Sequence, residues 1–215
     1  MGSSSEKIYN YLFKNDIFPY KNKWFNSFII KINNKIDNIA VINALEEIFL
    51  RVEVIKTSEE IIFVYFDEID FSLKDVISSI EDDVGEAIFA FNMPKIFTNS
   101  EKFSRLFEMY RKYFSSKNQG YFEMSDLILE TISKNIKDTI LVKEIILEKI
   151  LSDPQNEKLI MEIFNNNLNV LKTSKGIYMH RNTINNRLDI IKKETGLNIQ
   201  KFKDAVAMYS LMKIK

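Results

Sequence analysis

The residues best equipped to bind another molecule lie between Arg181 and Arg187. This stretch of seven residues contains two arginines, three asparagines and one threonine. In the major groove of DNA an asparagine can bond bidentately to adenine, and an arginine can do so to guanine. Lysines lie before and after the stretch, where they can neutralise phosphates. The residue types therefore favour contact with duplex DNA.

The spacing of apolar residues predicts how this stretch is presented. Three aliphatic residues share one face of a helix predicted over residues 181–194 and ended by Gly196. The polar residues must then point away from the buried face, and the two arginines flank it. The buried face is formed by Ile184, Leu188 and Ile191, and the opposite face by Asn182, Asn186, Asp189 and Lys193.

A second, shorter helix is predicted just before, over residues 170–177. The connection over residues 178–180 is tight, and two helices joined so closely cross steeply, as in a helix-turn-helix. The start of the second helix also offers free N–H groups and a positive dipole end to a phosphate. We predict that DNA contacts come from both helices and their connection: Lys172, Lys175, His180, Arg181, Asn182, Thr183, Asn185, Asn186, Arg187 and Lys192.

These residues are expected to contact different parts of the DNA. Asn182 and Asn186 are the predicted base contacts, the two arginines contact bases or phosphates, and the lysines contact phosphates. His180 is the only histidine of the chain. We expect it at the start of the helix or facing a phosphate, because no nucleophile or carboxylate partner for catalysis is recognisable nearby.

The same region resembles the C-terminal helix-turn-helix of the PucR/CdaR family of bacterial transcriptional regulators. The resemblance covers roughly the last 60 residues. It implies a DNA-binding regulator in which Arg181, Asn182, Thr183 and Arg187 occupy matching motif positions. The residues that carry it lie at 169–173 (N-V-x-K-T), 179–184 (M-H-R-N-T-I), 187–188 (R-L) and 195–197 (T-G-L).

The chain departs from the family pattern at three positions. The family commonly has arginine and tyrosine where this chain has Asn185 and Asn186, and alanine where it has Gly176. The loss of a cation weakens the expected attraction to phosphates. A glycine inside a short helix costs about 0.5–1 kcal/mol.

The first half of the chain alternates strand-like and helix-like segments in the order β-α-β-β-α-β-α. This order predicts a mixed sheet with helices on one face, a ferredoxin-like plan. Thr98 and Glu101 suggest a capping signal before a long helix to about Lys117, ended by Gly120. The other predicted strands lie at 28–32, 52–56, 61–66 and 87–92, and the other helices at 38–50 and 72–82.

This order of elements is similar to the degenerate GGDEF-like domain that precedes the helix-turn-helix in the family. A diguanylate cyclase needs a Gly-Gly-Asp/Glu-Glu-Phe turn, and the nearest approach here, residues 83–86, lacks the paired glycines. A phosphate-binding P-loop and a dinucleotide fingerprint are also absent. We therefore expect no enzyme. A residual nucleotide-binding activity is a third, weaker alternative.

The second half reads as helices throughout, over residues 125–135, 138–151 and 155–168 before the helix-turn-helix. The fold class is thus α+β, a ferredoxin-like or GGDEF-like βαββαβ domain followed by an all-α domain. The predicted organisation is a GGDEF-like sensing or dimerisation domain at 6–122, a helical connector at 123–153 and the DNA-binding domain at 154–215.

Composition excludes several classes of protein. The absence of cysteine rules out disulfides and sulfur-based zinc sites, and a single histidine rules out multi-histidine metal clusters. Acidic runs at 67–70 and 81–83 could bind Mg²⁺ but are typical of solvated loops and helix ends. The longest apolar run, at 61–66, is too short to span a bilayer. We expect a cytoplasmic protein with no cofactor and no membrane contact.

The charge is unevenly distributed. Residues 157–215 carry 11 Lys/Arg and 5 Asp/Glu, so the totals of 30 and 30 leave 19 and 25 elsewhere. A basic end favours a nucleic-acid partner. We predict a homodimeric regulator of double-stranded DNA with an unknown small-molecule effector. The alternative is a protein–protein adaptor whose helix-turn-helix has lost DNA binding.

Overall fold

The computed structural model describes residues 4–35, 37–98 and 101–214. The chain divides into two compact units, residues 1–123 and 124–215. The helices predicted as a connector lie in the second unit, together with the helix-turn-helix. Each unit is described separately.

The first unit contains a mixed sheet and four helices. Its helices are α1 (Ser4–Lys14), α2 (Asn38–Glu46), α3 (Leu73–Val84) and α4 (Lys102–Phe114). Its strands are β1 (Trp24–Lys31), β2 (Val52–Lys56), β3 (Glu60–Tyr65), β4 (Phe89–Asn92), β5 (Ile96–Phe97) and β6 (Gly120–Phe122).

The sheet is built around β1. Its strand order is β2-β3-β1-β4-β6, and β5 also pairs with β1. The strands β1 and β3 are antiparallel, as are β1 and β4, and β2 and β3. The last strand, β6, runs parallel to β4. Every residue of β3 is buried, so this strand is covered on both faces.

Aromatic side chains fill much of the core of this unit. Phe28 and Phe63 face each other in the β1–β3 register, and their rings stack with centroids 4.5 Å apart. Four aromatic residues form one face of α4, and all four are buried. They are Phe103, Phe107, Tyr110 and Phe114.

The predicted start and end of α4 are wrong. The helix begins after Glu101, and this N-cap residue makes no side-chain capping bond. The N–H and hydroxyl of Thr98 donate instead to the carbonyls of Lys23 and Asn22, so Thr98 continues the β5 edge. The helix ends at Phe114, and Gly120 begins the parallel strand β6. A strand of three residues held by non-local pairing leaves little local signal.

Three other elements differ from the sequence prediction. The helix α1, which buries Ile8 and Leu12, has no counterpart among the predicted elements. The helix α2 ends at Glu46 rather than near Leu50, because its last turn tightens. The C-terminal helix α10 was not predicted at all.

The second unit is a bundle of six helices. Residues 124–214 contain no strand. The helices are α5 (Met124–Lys134), α6 (Ile136–Leu151), α7 (Pro154–Asn165), α8 (Val170–Gly176), α9 (Arg181–Thr195) and α10 (Phe202–Lys213). Pro154 occupies the first turn of α7, as predicted.

The helix α6 organises this bundle, because α5, α7, α9 and α10 all pack against it. Its fully buried Val142 contributes to a core of aliphatic side chains. Across the described residues, no helix is long and apolar enough to cross a bilayer.

Candidate nucleic-acid interface

The first helix of the helix-turn-helix, α8, is fixed at its start by two side chains. The amide oxygen of Asn169 accepts the N–H of Lys172 at 3.0 Å. The buried Thr173 donates its hydroxyl to the carbonyl of Asn169 at 2.9 Å. These bonds satisfy groups that a short helix would otherwise leave open. Lys172 and Lys175 lie exposed along this helix.

The connection to α9 ends the first helix with a left-handed residue. Tyr178 has φ +54°, and the N–H of Met179 donates to the carbonyl of Ser174 at 3.1 Å. A backbone bond across this span is typical of a Schellman motif. The connection is therefore a defined turn, not a loose loop.

His180 begins the second helix. Its Nδ1 accepts the N–H of Asn182 at 3.2 Å, which makes it the N-cap of α9. An accepting Nδ1 places the proton of the neutral ring on Nε2. The prediction that His180 lies at the helix start is confirmed.

The far end of α9 explains the T-G-L motif. Thr195 is buried and donates its hydroxyl to the carbonyl of Ile191 at 2.6 Å, while its oxygen accepts the N–H of Leu197 at 3.1 Å. Gly196 adopts φ +74° and its N–H donates to the carbonyl of Lys192 at 2.8 Å. Left-handed backbone here favours glycine.

One face of α9 is buried and the opposite face is exposed. Ile184, Leu188 and Ile191 are buried as predicted. Five polar side chains on the N-terminal half of α9 are exposed, and none forms a hydrogen bond or ion pair with the part of the chain that the structure describes. They are Arg181, Asn182, Thr183, Asn185 and Asn186.

Three exposed charged residues lie further along α9: Asp189, Lys192 and Lys193. Lys192 is exposed and carries a cation beyond the amides. Asp189 is also exposed and places a carboxylate among them. A carboxylate can accept from the cytosine amino group, whereas it repels phosphate.

Arg187 lies apart from this row and contacts α7. Its Nη1 donates to Asp153 Oδ2 at 2.8 Å and to Asn156 Oδ1 at 2.7 Å, and its Nη2 donates to Gln155 Oε1 at 2.6 Å. Asp153 is the N-cap of α7, and its Oδ1 accepts the N–H of Gln155. The bond from Arg187, with that from the Gln155 backbone, lowers the pKa of Asp153. The arginine thus holds α9 against the start of α7.

A second polar contact holds the C-terminal part of α9. Lys149 of α6 donates to Glu194 Oε1 at 3.2 Å, and the side chain of Glu194 is nearly buried. The orientation of α9 is therefore fixed by polar contacts at its middle and near its C-terminal end. Among the residues the structure describes, no group of three or more His, Cys, Asp or Glu could hold a metal ion.

Comparison with known proteins identifies this region. Residues 159–214 match the PucR C-terminal helix-turn-helix domain. No curated protein matches the chain. Among solved structures, the chain is similar to a regulator of polyketide synthase expression from Bifidobacterium adolescentis, with 13% identity over 91% of this chain and 82% of that chain and a TM-score of 0.41. The domain match confirms the predicted PucR-type helix-turn-helix, and it supports a transcription regulator.

Sequence reasoning located the exposed row but missed two features around it. The role of Arg187 in joining α9 to α7 was not predicted, although the spacing had placed it beside the buried face. Its partners lie 31 to 34 residues earlier in the chain, so no local pattern links them. The sequence predicts only that Tyr178 lies in the tight connection, and it does not indicate that the side chain is exposed.

Proposed function

We propose that this chain is a transcriptional regulator that binds duplex DNA, with α9 as the recognition helix in the major groove. The observation that carries the proposal is the exposed row on α9, from Arg181 to Asn186, whose side chains lack partners within the described part of the chain. Side chains of these types match the donor and acceptor pattern of base edges.

The exposed residues take distinct roles in this proposal. Asn182 and Asn186 contact base edges, while Arg181 contacts a base or a phosphate. Thr183 and Asn185 lie beside them and contribute further hydrogen bonds. The cations of Lys172, Lys175 and Lys192, with the ring N–H of His180, contact phosphates and set the register on the duplex.

Arg187 takes a positioning role in the proposal. Three of its hydrogen bonds are already made to α7. Diverting the guanidinium to DNA would break those bonds and leave the partly buried Asn156 with one fewer donor. We therefore assign Arg187 to holding the angle of α9, with direct DNA contact secondary.

The first unit is proposed to be a degenerate GGDEF-like domain that mediates sensing or self-association. The strand order β2-β3-β1-β4 with antiparallel neighbours supports a ferredoxin-like βαββαβ plan. A two-fold dimer would place two recognition helices about 34 Å apart, one turn of DNA. The proposed activity is binding and not catalysis.

A mobility shift over a range of salt tests the proposal. The full chain is mixed with a labelled duplex of mixed sequence and with duplexes selected by the chain from a randomised pool. We expect a shift that weakens steeply as salt rises, because bound lysines and arginines release counterions from the phosphates. No shift with either probe, even at low salt, would refute DNA binding and support the adaptor alternative.

A further inference from the structure

Among the large hydrophobic side chains of the described residues, Tyr178 is the most exposed. It retains 97% of its accessible surface. No aromatic, cation–π or hydrogen-bond contact of this side chain lies within the described part of the chain. The ring therefore contributes no packing to the bundle.

The backbone at this position also disfavours tyrosine. Its φ of +54° falls in the left-handed region, where a side chain with a Cβ is strained. Helices that end in this way usually place glycine or asparagine there. A bulky residue that strains the turn and packs against nothing is typical of a functional position.

The location indicates what the side chain can reach. Tyr178 lies two residues before the N-cap His180 and three before Arg181, and Lys175 precedes it by the same interval. Cations thus flank it on both sides in sequence, at the end of α9 that enters the groove. In a helix-turn-helix the first helix crosses the sugar–phosphate backbone, and Tyr178 lies in the turn directly after that helix, α8.

We infer that Tyr178 is a DNA-backbone contact, in which its phenolic O–H donates to a phosphate oxygen while its ring covers the adjacent deoxyribose. The inference rests on the proposed function and extends the interface to the turn. Such a contact carries no base information, so it strengthens binding to every sequence alike.

The test compares Tyr178→Phe with Lys175→Ala in the full chain, on a labelled duplex of mixed sequence over a range of KCl. We expect Tyr178→Phe to lower affinity about tenfold, since a hydrogen bond to a charged group is lost. The salt slope should stay unchanged, because a neutral phenol releases no counterion. Lys175→Ala should reduce the slope by about one. Tyr209→Phe, at an exposed tyrosine on α10, is the matched control and should bind as the wild type does.

A second variant separates contact from folding. Tyr178→Gly suits the left-handed backbone and should raise the melting temperature by about 2 °C. It should nevertheless bind DNA at least as weakly as Tyr178→Phe. If the wild type binds and both Tyr178 variants bind as tightly as the wild type, the inference is wrong and the proposed function stands. If the wild type binds no duplex, the proposed function itself fails.

Discussion

At the scale of single residues, the proposed base recognition depends on the exposed amides of α9. Asn182 is held in place by its backbone, because its N–H is bonded to the N-cap His180, while its side chain stays exposed. The side-chain amide is thus presented from a fixed backbone position.

Replacing Asn182 with alanine should cost about 1–3 kcal/mol of binding free energy on a selected duplex. The loss should fall at one base position, so that all four bases become nearly equivalent there. Competition with duplexes substituted at each position measures this effect. Asn165→Ala, at an exposed asparagine on α7, is the control and should leave the profile unchanged. A uniform loss over all positions would contradict the base contact.

Asp153 gives a pH dependence that can be measured. Because Arg187 lowers its pKa below the ordinary value of 3.8, the carboxylate stabilises the fold above that value. The contribution is lost as pH falls through the lowered pKa. Asp153→Asn keeps a good N-cap but removes the ion pair. Thermal melts should therefore show wild type above the variant at neutral pH, with the difference shrinking in acid. A difference that is the same at every pH would contradict this ion pair.

At the scale of elements, the two helices of the helix-turn-helix were predictable because their signals are local. The aliphatic spacing, the asparagine cap and the glycine exit all act within a few residues. The bonds of Thr195 and Gly196 show why the T-G-L exit is needed. The choice of which exposed residues touch DNA remains a prediction, since it depends on a duplex.

Gly176 of α8 stands where the family commonly has alanine, and a substitution can restore that alanine. An added Cβ would lie 2.9 Å from Glu162 Oε1, the far end of a flexible side chain that can move away. Gly176→Ala should therefore raise the free energy of unfolding by about 0.5 kcal/mol through a stiffer α8. Chemical denaturation with urea measures it. A loss of stability would show that the Glu162 carboxylate cannot yield.

Other elements escaped prediction for physical reasons. The helix α10 carries apolar residues on both its buried and its exposed sides. Phe202 is 83% exposed, whereas Met208 and Leu211 are buried. This weakens the amphipathic pattern. The strand β6 depends on pairing with β4, about thirty residues earlier, which no local pattern encodes.

At the scale of the whole molecule, the second unit has a core of its own. Its helices pack around α6, and its buried residues include Val142, Ile184 and Leu211. The general plan of a mixed α/β half followed by a helical half is predictable from the sequence, since it follows from the spacing of hydrophobic residues along the chain. The division at residue 124 unites the predicted connector with the helix-turn-helix.

The polypeptide 124–215 should consequently fold alone. We expect a cooperative thermal transition and DNA binding weaker than that of the full chain, because the proposed self-association of the first unit would be lost. Circular dichroism and the mobility shift check both points. Equal affinity for the two forms would argue against self-association through the first unit.

The carboxylate of Asp153 serves two helices at once, with one oxygen capping α7 and the other holding Arg187 of α9. Genetic selections for altered operator preference should therefore yield substitutions at Asp153, Gln155 or Asn156. Such substitutions would change the orientation of α9 without contacting DNA themselves. Second substitutions at Arg187 should suppress their effect on operator preference.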